Sequence, residues 1–300
     1  MSLKTLPLWK RCPGTAQILK GHFSFLRYWK QSLRCRLGYI RYSDAYPQSV
    51  LLIAGLPKSG TTWLETMLAS YPGFHTLLIP EATGYELQHG GSHGYDLPPD
   101  IFSRMKNKLV VSKMHIHGSD HNVQLIHGAD IRYVVLFRDL RDVSVSYYFY
   151  VRQTPWHPGF EKYRGLNVEQ GLRLFAEELL VPYKEWVNTW EKNRDPRLSL
   201  MLKYEDLLAD SREKMTQVAD HFRLDSSPEI VRRVIEKHTF KRMSGGRKAG
   251  QERETSFYRK GQSGDWKNHF TPELKKIFNE KVGEFLVRHD YEENDGWALS

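Results

Sequence analysis

Three hundred residues, 40% of them hydrophobic and 26% charged, are enough for one large globular domain and exclude a disordered chain. No apolar run approaches the ~20 residues of a membrane span, and the opening segment holds no continuous apolar stretch of the kind a secretory signal needs. The two cysteines, Cys12 and Cys35, exclude a disulfide framework and a four-cysteine zinc site, so a reducing cytoplasm is the expected compartment.

The net charge of +9 is an N-terminal property. Residues 1–43 carry nine Lys or Arg and no Asp or Glu, whereas the remainder holds 35 of each sign. The same segment contains Leu6, Trp9, Phe23, Phe25, Leu26, Trp29 and Leu33. A basic, aromatic arm over 1–45 ahead of a domain over 46–295 is therefore expected. It suits peripheral contact with an anionic membrane or an acidic partner, or else a surface helix whose basic stems cover the domain. The neutral remainder, with no recognition motif, argues against nucleic acid as a partner.

Val50 to Ala54 is short, apolar and β-branched, ends at Gly55, and reads as a buried parallel strand. A helix is predicted from Thr61 to Ser70, with Leu64, Met67 and Leu68 on one face. Further strands are predicted at Leu109–Val111, Arg132–Phe137 and Leu198–Leu202. Between the last two, helices are expected from about Arg141 to Val151 and from about Val168 to Lys192. Ser227-Pro228 and Thr271-Pro272 each place a capping hydroxyl before a proline at a helix start. After Thr271, Leu274, Ile277, Phe278, Val282, Phe285 and Leu286 fall at helical spacing. Alternating strands and helices predict a single α/β domain, a central parallel sheet flanked by helices. The polar stretches 89–96, 154–165 and 243–256 interrupt it, and such loops are where ligands usually sit.

The strongest signal is Gly55-Leu56-Pro57-Lys58-Ser59-Gly60-Thr61-Thr62-Trp63. It leaves a strand and opens a helix, which points backbone amides and the positive helix end at an anion. It falls short of the nucleoside triphosphate pattern, because position 61 is Thr and the lysine stands three residues earlier, at Lys58. A second strand-to-helix passage, Phe137-Arg138 to Ser146, offers an Arg fork and a hydroxyl, a fitting pair for a phosphate dianion. Arg259-Lys260-Gly261 adds two cations and a bare backbone amide, a third anion nest.

The segment Pro57-Lys58-Ser59-Gly60-Thr61-Thr62-Trp63 resembles the 5′-phosphosulfate loop of the cytosolic-type sulfotransferase family. Phe137 to Tyr148 and Arg259-Lys260-Gly261 with Gly264-Asp265-Trp266-Lys267 resemble its 3′-phosphate segments. Together with Lys113-Met114-His115 the resemblance spans about residues 48–290. It implies the P-loop nucleotide-kinase-like fold and transfer of a sulfuryl group from 3′-phosphoadenosine 5′-phosphosulfate (PAPS) to a small hydroxyl-bearing acceptor, with no metal required. It also implies that Lys58, Ser59, Gly60, Thr61 and Thr62 hold the 5′ end, and that Arg138, Ser146, Arg259, Lys260 and Gly261 hold the 3′-phosphate. Trp63 and Phe240 would flank the adenine, and Tyr204 would bond its edge. His238 stands where the family often has Thr, and Met114 where it usually has a small hydroxyl.

The resemblance makes His115 the base, with Lys113 on a sulfuryl oxygen and Lys58 at the departing phosphate. Ser146 would hold Lys58 off until the acceptor arrives. An imidazole that titrates near neutrality suits the proton transfer. His115, His117 and His121 also invite a zinc reading, but no Cys or Glu-x-x-His companion is near. His117 and His121 read as ordinary hydrogen-bonded histidines. Tyr85, Tyr95, Trp156 and Phe160 suggest an apolar or aromatic acceptor. Pro272 and Lys276 depart from the family's short dimer motif, which counts against that dimer. A nucleotide-dependent kinase of related fold and a membrane- or acidic-partner-binding module are the rival readings.

Overall fold

A computed structural model describes residues 13–89 and 93–299. Leu6, Trp9, Cys12 and residues 90–92 of the first polar stretch lie outside the described residues. The strands are β1 (Val50–Gly55), β2 (His75–Thr76), β3 (Val110–Met114), β4 (Tyr133–Phe137) and β5 (Ser199–Lys203). The helices up to β5 are α1 (Pro13–Tyr42), α2 (Thr61–Leu68), α3 (Pro80–Gln88), α4 (Asp120–Gly128), α5 (Leu140–Val151), α6 (Phe160–Tyr163), α7 (Val168–Glu178) and α8 (Leu180–Asn193). After β5 come α9 (Tyr204–Ala209), α10 (Ser211–His221), α11 (Pro228–Lys237), α12 (Phe240–Met243) and α13 (Pro272–Arg288).

The strands form one parallel sheet in the order β2-β3-β1-β4-β5. Every residue of β1 and β4 is buried, as strands covered on both faces require. The two-residue period divides β1 between two apolar layers. Leu52 and Ala54 pack with α5, α7, α8 and α13, while Leu51 and Ile53 pack with α2, α10 and α11. The loops leaving β1, β3 and β4 gather at the C-terminal edge of the sheet, where open α/β sheets bind ligands.

Apart from one, the predicted strands and helices after β1 are present with ends shifted by at most three residues, the largest shift at β3, which runs on to Met114. The single helix expected from Val168 to Lys192 is two, broken at Leu179. Pro182 has no N–H for the carbonyl of Glu178, and its ring would collide with that carbonyl, so the ladder restarts. Pro228 and Pro272 open their helices as expected. Thr271 Oγ1 accepts from the Leu274 amide at 3.3 Å, but the Ser227 hydroxyl makes no cap bond. The short β2 and the helices α3 and α4 carry weak sequence signals.

The basic segment forms a 30-residue helix laid on the sheet edge. Its small residues Ala16, Ser24, Ser32 and Cys35 face inward. Gln31 bridges Thr76 and the Leu78 amide, and the Leu109 amide donates to the Cys35 carbonyl at 3.0 Å. Among the described residues no helix is long and apolar enough to cross a membrane.

Candidate active site

A cavity of about 690 Å³ opens at the C-terminal edge of the sheet. Lys58, Gly60, Thr61, Thr62, Trp63, Lys113, His115, Arg138, Ser146, Tyr204, Phe240, Arg259, Lys260 and Gly261 all line it. Residues spread over two hundred positions of sequence thus meet in one place. Ser59 stands behind the loop, fully buried.

The loop between β1 and α2 bends through left-handed backbone at Lys58 (φ 66°) and Gly60 (φ 79°). That turn throws the Lys58 side chain into the cavity. Its ammonium lies 3.7 Å from the centre of the Tyr150 ring and 5.1 Å from that of Phe257. Burial first, then the charges of Arg138, Lys113 and Arg259, bring Lys58 down to about 7. Among the described residues Lys58 makes no ion pair and no hydrogen bond to Ser146; the two aromatic faces hold it instead. A side chain at Gly60 would strike the Tyr204 ring, and one at Gly261 (φ 67°) would strike Phe240. These two glycines keep the backbone open on either side of the cavity.

Arg138 leaves β4 with its guanidinium 4.4 Å from the centre of the Tyr204 ring, and it donates to Asp142 at 3.0 Å and to the Gln262 carbonyl at 3.1 Å. Its Nε faces the Glu205 carboxylate at 3.8 Å without a hydrogen bond, and the Ser59 hydroxyl is buried with no hydrogen-bond partner. Thr62 Oγ1 accepts from Lys113 Nζ at 3.1 Å. Arg259 and Lys260 both donate to Asp265, whose carboxylate is held well below its ordinary range; burial opposes this, and the bonds from His269, Lys260 and Arg259 outweigh it.

Trp63 donates its indole N–H to the His238 carbonyl at 2.8 Å, and the His238 ring turns back to Val234. The residue that replaces the family's usual Thr therefore gives its carbonyl to Trp63 while its ring bonds back to α11. The 243–256 stretch is tied down by Arg247, which donates to the carbonyls of Gln251 and Arg259 and to Ser256.

Beyond β3, His115 Nδ1 lies 2.5 Å from the Gly55 carbonyl. A carbonyl only accepts, so Nδ1 carries the proton and Nε2 keeps its lone pair. Burial brings this imidazole down to about 4, with His93 and Lys113 adding to it against Glu86. His121 bonds the Leu97 carbonyl at 2.8 Å, and the His117 carbonyl accepts from Asn122. Among the described residues no group of three or more His, Cys, Asp or Glu could hold a metal ion.

Several site residues carry no motif. Glu86 of α3 pairs with His93 at 3.8 Å, and the His93 ring stands 5.5 Å from that of His115. Only the histidine-containing stretch 89–96 hinted at this pair. Of the four aromatics expected at the acceptor end, Trp156 lines the cavity. Tyr85 stacks on His89, Tyr95 packs against the core, and Phe160 is buried. Ile79, Met114, Tyr147, Tyr150 and Tyr183 complete that wall.

Asp142 is the hidden anchor. Its carboxylate, 1% exposed, accepts from Arg138, from the Gly264 amide at 2.7 Å and from the Trp266 amide at 3.0 Å. It thereby fastens the Gly261 corner to α5. Asp142→Ala leaves Arg138 and two amides buried without their acceptor, so a loss of about 3–5 kcal/mol is expected in urea unfolding. A loss under about 1 kcal/mol would remove Asp142 from this role.

A parallel sheet whose central strand feeds a glycine-bearing loop, with Lys58, Lys113, Arg138, Arg259 and Lys260 gathered around one cavity, defines an α/β enzyme that handles a phosphorylated or sulfated ligand. The chain belongs to the sulfotransferase domain family, which it matches over residues 48–288, and it is a sulfotransferase. It is 27% identical to human Sulfotransferase 1E1, over 85% of this chain and 86% of that one. It is 26% identical to Flavonol 3-sulfotransferase of Flaveria bidentis, over 94% and 96%. The structure of mouse sulfotransferase SULT7A1 complexed with PAP superposes with a TM-score of 0.60 at 20% identity, covering 87% of this chain and 92% of that one.

Proposed function

We propose that this enzyme moves the sulfuryl group of PAPS onto a hydroxyl of a small acceptor in the cytoplasm, leaving adenosine 3′,5′-bisphosphate. The observation that carries this reading is the convergence of Lys58, Lys113, Arg138 and Arg259 on one cavity, with Lys58 pushed toward its neutral form by burial first and then by the charges of the other three. A multiply charged anion relieves that repulsion. The two open glycine corners, at Gly60 and Gly261, fit a ligand with phosphate at both ends of a ribose. The mouse relative above is complexed with PAP.

When bound, the donor supplies a sulfuryl group already activated by its phosphate leaving group. The chain does the rest. Nε2 of His115 takes the acceptor's proton, and Glu86, through His93, favours the charge that forms on the ring. Lys113 and Lys58 supply fixed positive charge on either side of the transfer, and Ser146, Arg259, Lys260 and Gly261 hold the 3′ end. Trp63 and Phe240 line the adenine end with Tyr204. The wall of Ile79, Met114, Tyr147, Tyr150, Trp156 and Tyr183 suits an apolar or aromatic acceptor. The arm over 1–45 adds peripheral contact with a membrane.

Calorimetric titration tests the reading. Adenosine 3′,5′-bisphosphate is expected to bind without magnesium and ATP with magnesium to bind far more weakly. Arg259→Ala should weaken the bisphosphate roughly 10–100-fold. Preference for ATP with magnesium would favour the kinase reading and sink this one. A labelled-donor screen of phenols, alcohols and amines then finds the acceptor.

A further inference from the structure

The helix α1 has two working faces. Ile18, Phe25, Trp29, Leu33 and Ile40 recur at steps of seven or four, which places them on one side, and each is between 55 and 72% exposed. That side lies opposite the small buried residues Ser24 and Cys35. Soluble monomers rarely show so long an apolar strip to water. All six charged residues of the helix are Lys or Arg, and Lys30, Arg34 and Arg41 run along one margin of the strip. The inner side reaches the cavity through Lys20, Ser24, Arg27 and Gln31, while Phe23, 62% exposed, lines the cavity from its rim.

We propose that the outer face of α1 docks on an anionic lipid surface and so sets the acceptor mouth at the bilayer interface, where an alcohol dissolved in the membrane enters directly. Charge chooses the occupant. A second copy laid on this face would bring two all-cationic helices together, whereas an anionic bilayer takes up both the apolar strip and the basic margin. The docking stands on exposure and charge alone; the delivery of acceptor rests on the reading of the cavity given under Proposed function.

The test compares the full chain with a Trp29→Ser, Leu33→Ser, Ile40→Ser variant, none of these residues lining the cavity. Cosedimentation uses phosphatidylcholine vesicles with and without phosphatidylserine. Retention on the anionic vesicles is expected to exceed that on the neutral ones at least tenfold, and the variant should lose most of it. Turnover of a vesicle-held sterol should fall in parallel, with turnover of a water-soluble phenol unchanged. Equal retention on both vesicles, or full retention of the variant, overturns the docking. A dimer in light scattering that the variant abolishes, or binding to an acidic protein without binding to vesicles, overturns it as well. Sterol turnover that ignores the variant overturns the delivery. Vesicle binding without affinity for adenosine 3′,5′-bisphosphate would remove the catalytic reading and the delivery, and leave the docking standing.

Discussion

His115→Ala is expected to lower kcat roughly 10²–10⁴-fold while leaving the affinity for adenosine 3′,5′-bisphosphate unchanged. The ring lies at the acceptor end, its Nδ1 proton is committed to the Gly55 carbonyl, and only Nε2 is free to take a proton. The pH profile sharpens the prediction. Burial has brought the imidazole down to about 4, so the neutral, active form prevails from there upward. Protonation removes the lone pair, and kcat/KM should therefore fall only as the pH drops toward 4. An acid limb at or above the ordinary histidine range, or near-normal turnover in the variant, would place the base elsewhere. His93→Ala, by contrast, removes only the link to Glu86 and should act on kcat more mildly.

Lys58→Ala is expected to lower kcat about 10²–10³-fold, the loss typical of one preorganised electrostatic contact to developing charge. The side chain is not a structural support. It rests on the Tyr150 and Phe257 rings, and no carboxylate among the described residues pairs with it. A readout besides rate follows from its depressed pKa of about 7. At about pH 8 most of this amine is neutral in the free enzyme, and an arriving anion raises its pKa, so binding of adenosine 3′,5′-bisphosphate takes up close to one proton. Calorimetry in buffers of different ionisation heat should show this uptake at pH 8, weaker uptake below pH 6, and none from this group in Lys58→Ala. Binding by the parent enzyme with no proton uptake at pH 8 would remove the buried amine from the anion site.

Much of the site was legible because its chemistry is carried by short contiguous runs. A buried strand, a glycine-bearing turn and a helix start must follow one another to aim amides at a phosphate, so Gly55 to Trp63 announces itself. The same holds for Arg138 at a strand end and for Arg259-Lys260-Gly261. Asp142 and Glu86 were not legible. Each is one carboxylate on a helix, and its importance lies in partners more than 100 residues away for Asp142 and in a loop histidine for Glu86. The acceptor aromatics failed for a related reason. A tyrosine in a polar stretch can face the cavity, its neighbour or the core, and Tyr85 and Tyr95 took the latter courses.

Local grammar in the chain alone thus settled the parallel α/β layout and marked the anion loop, since hydrophobic period, glycine placement and strand-to-helix order act between near neighbours; His115 as base followed from the family resemblance of Lys113-Met114-His115. Folding alone decided which site cations meet a carboxylate and that Lys58 meets none among the described residues, which tautomer His115 adopts, and which side of the basic N-terminal helix stays in water. Those outcomes depend on burial and on distances between remote segments, and no reading along one dimension contains them.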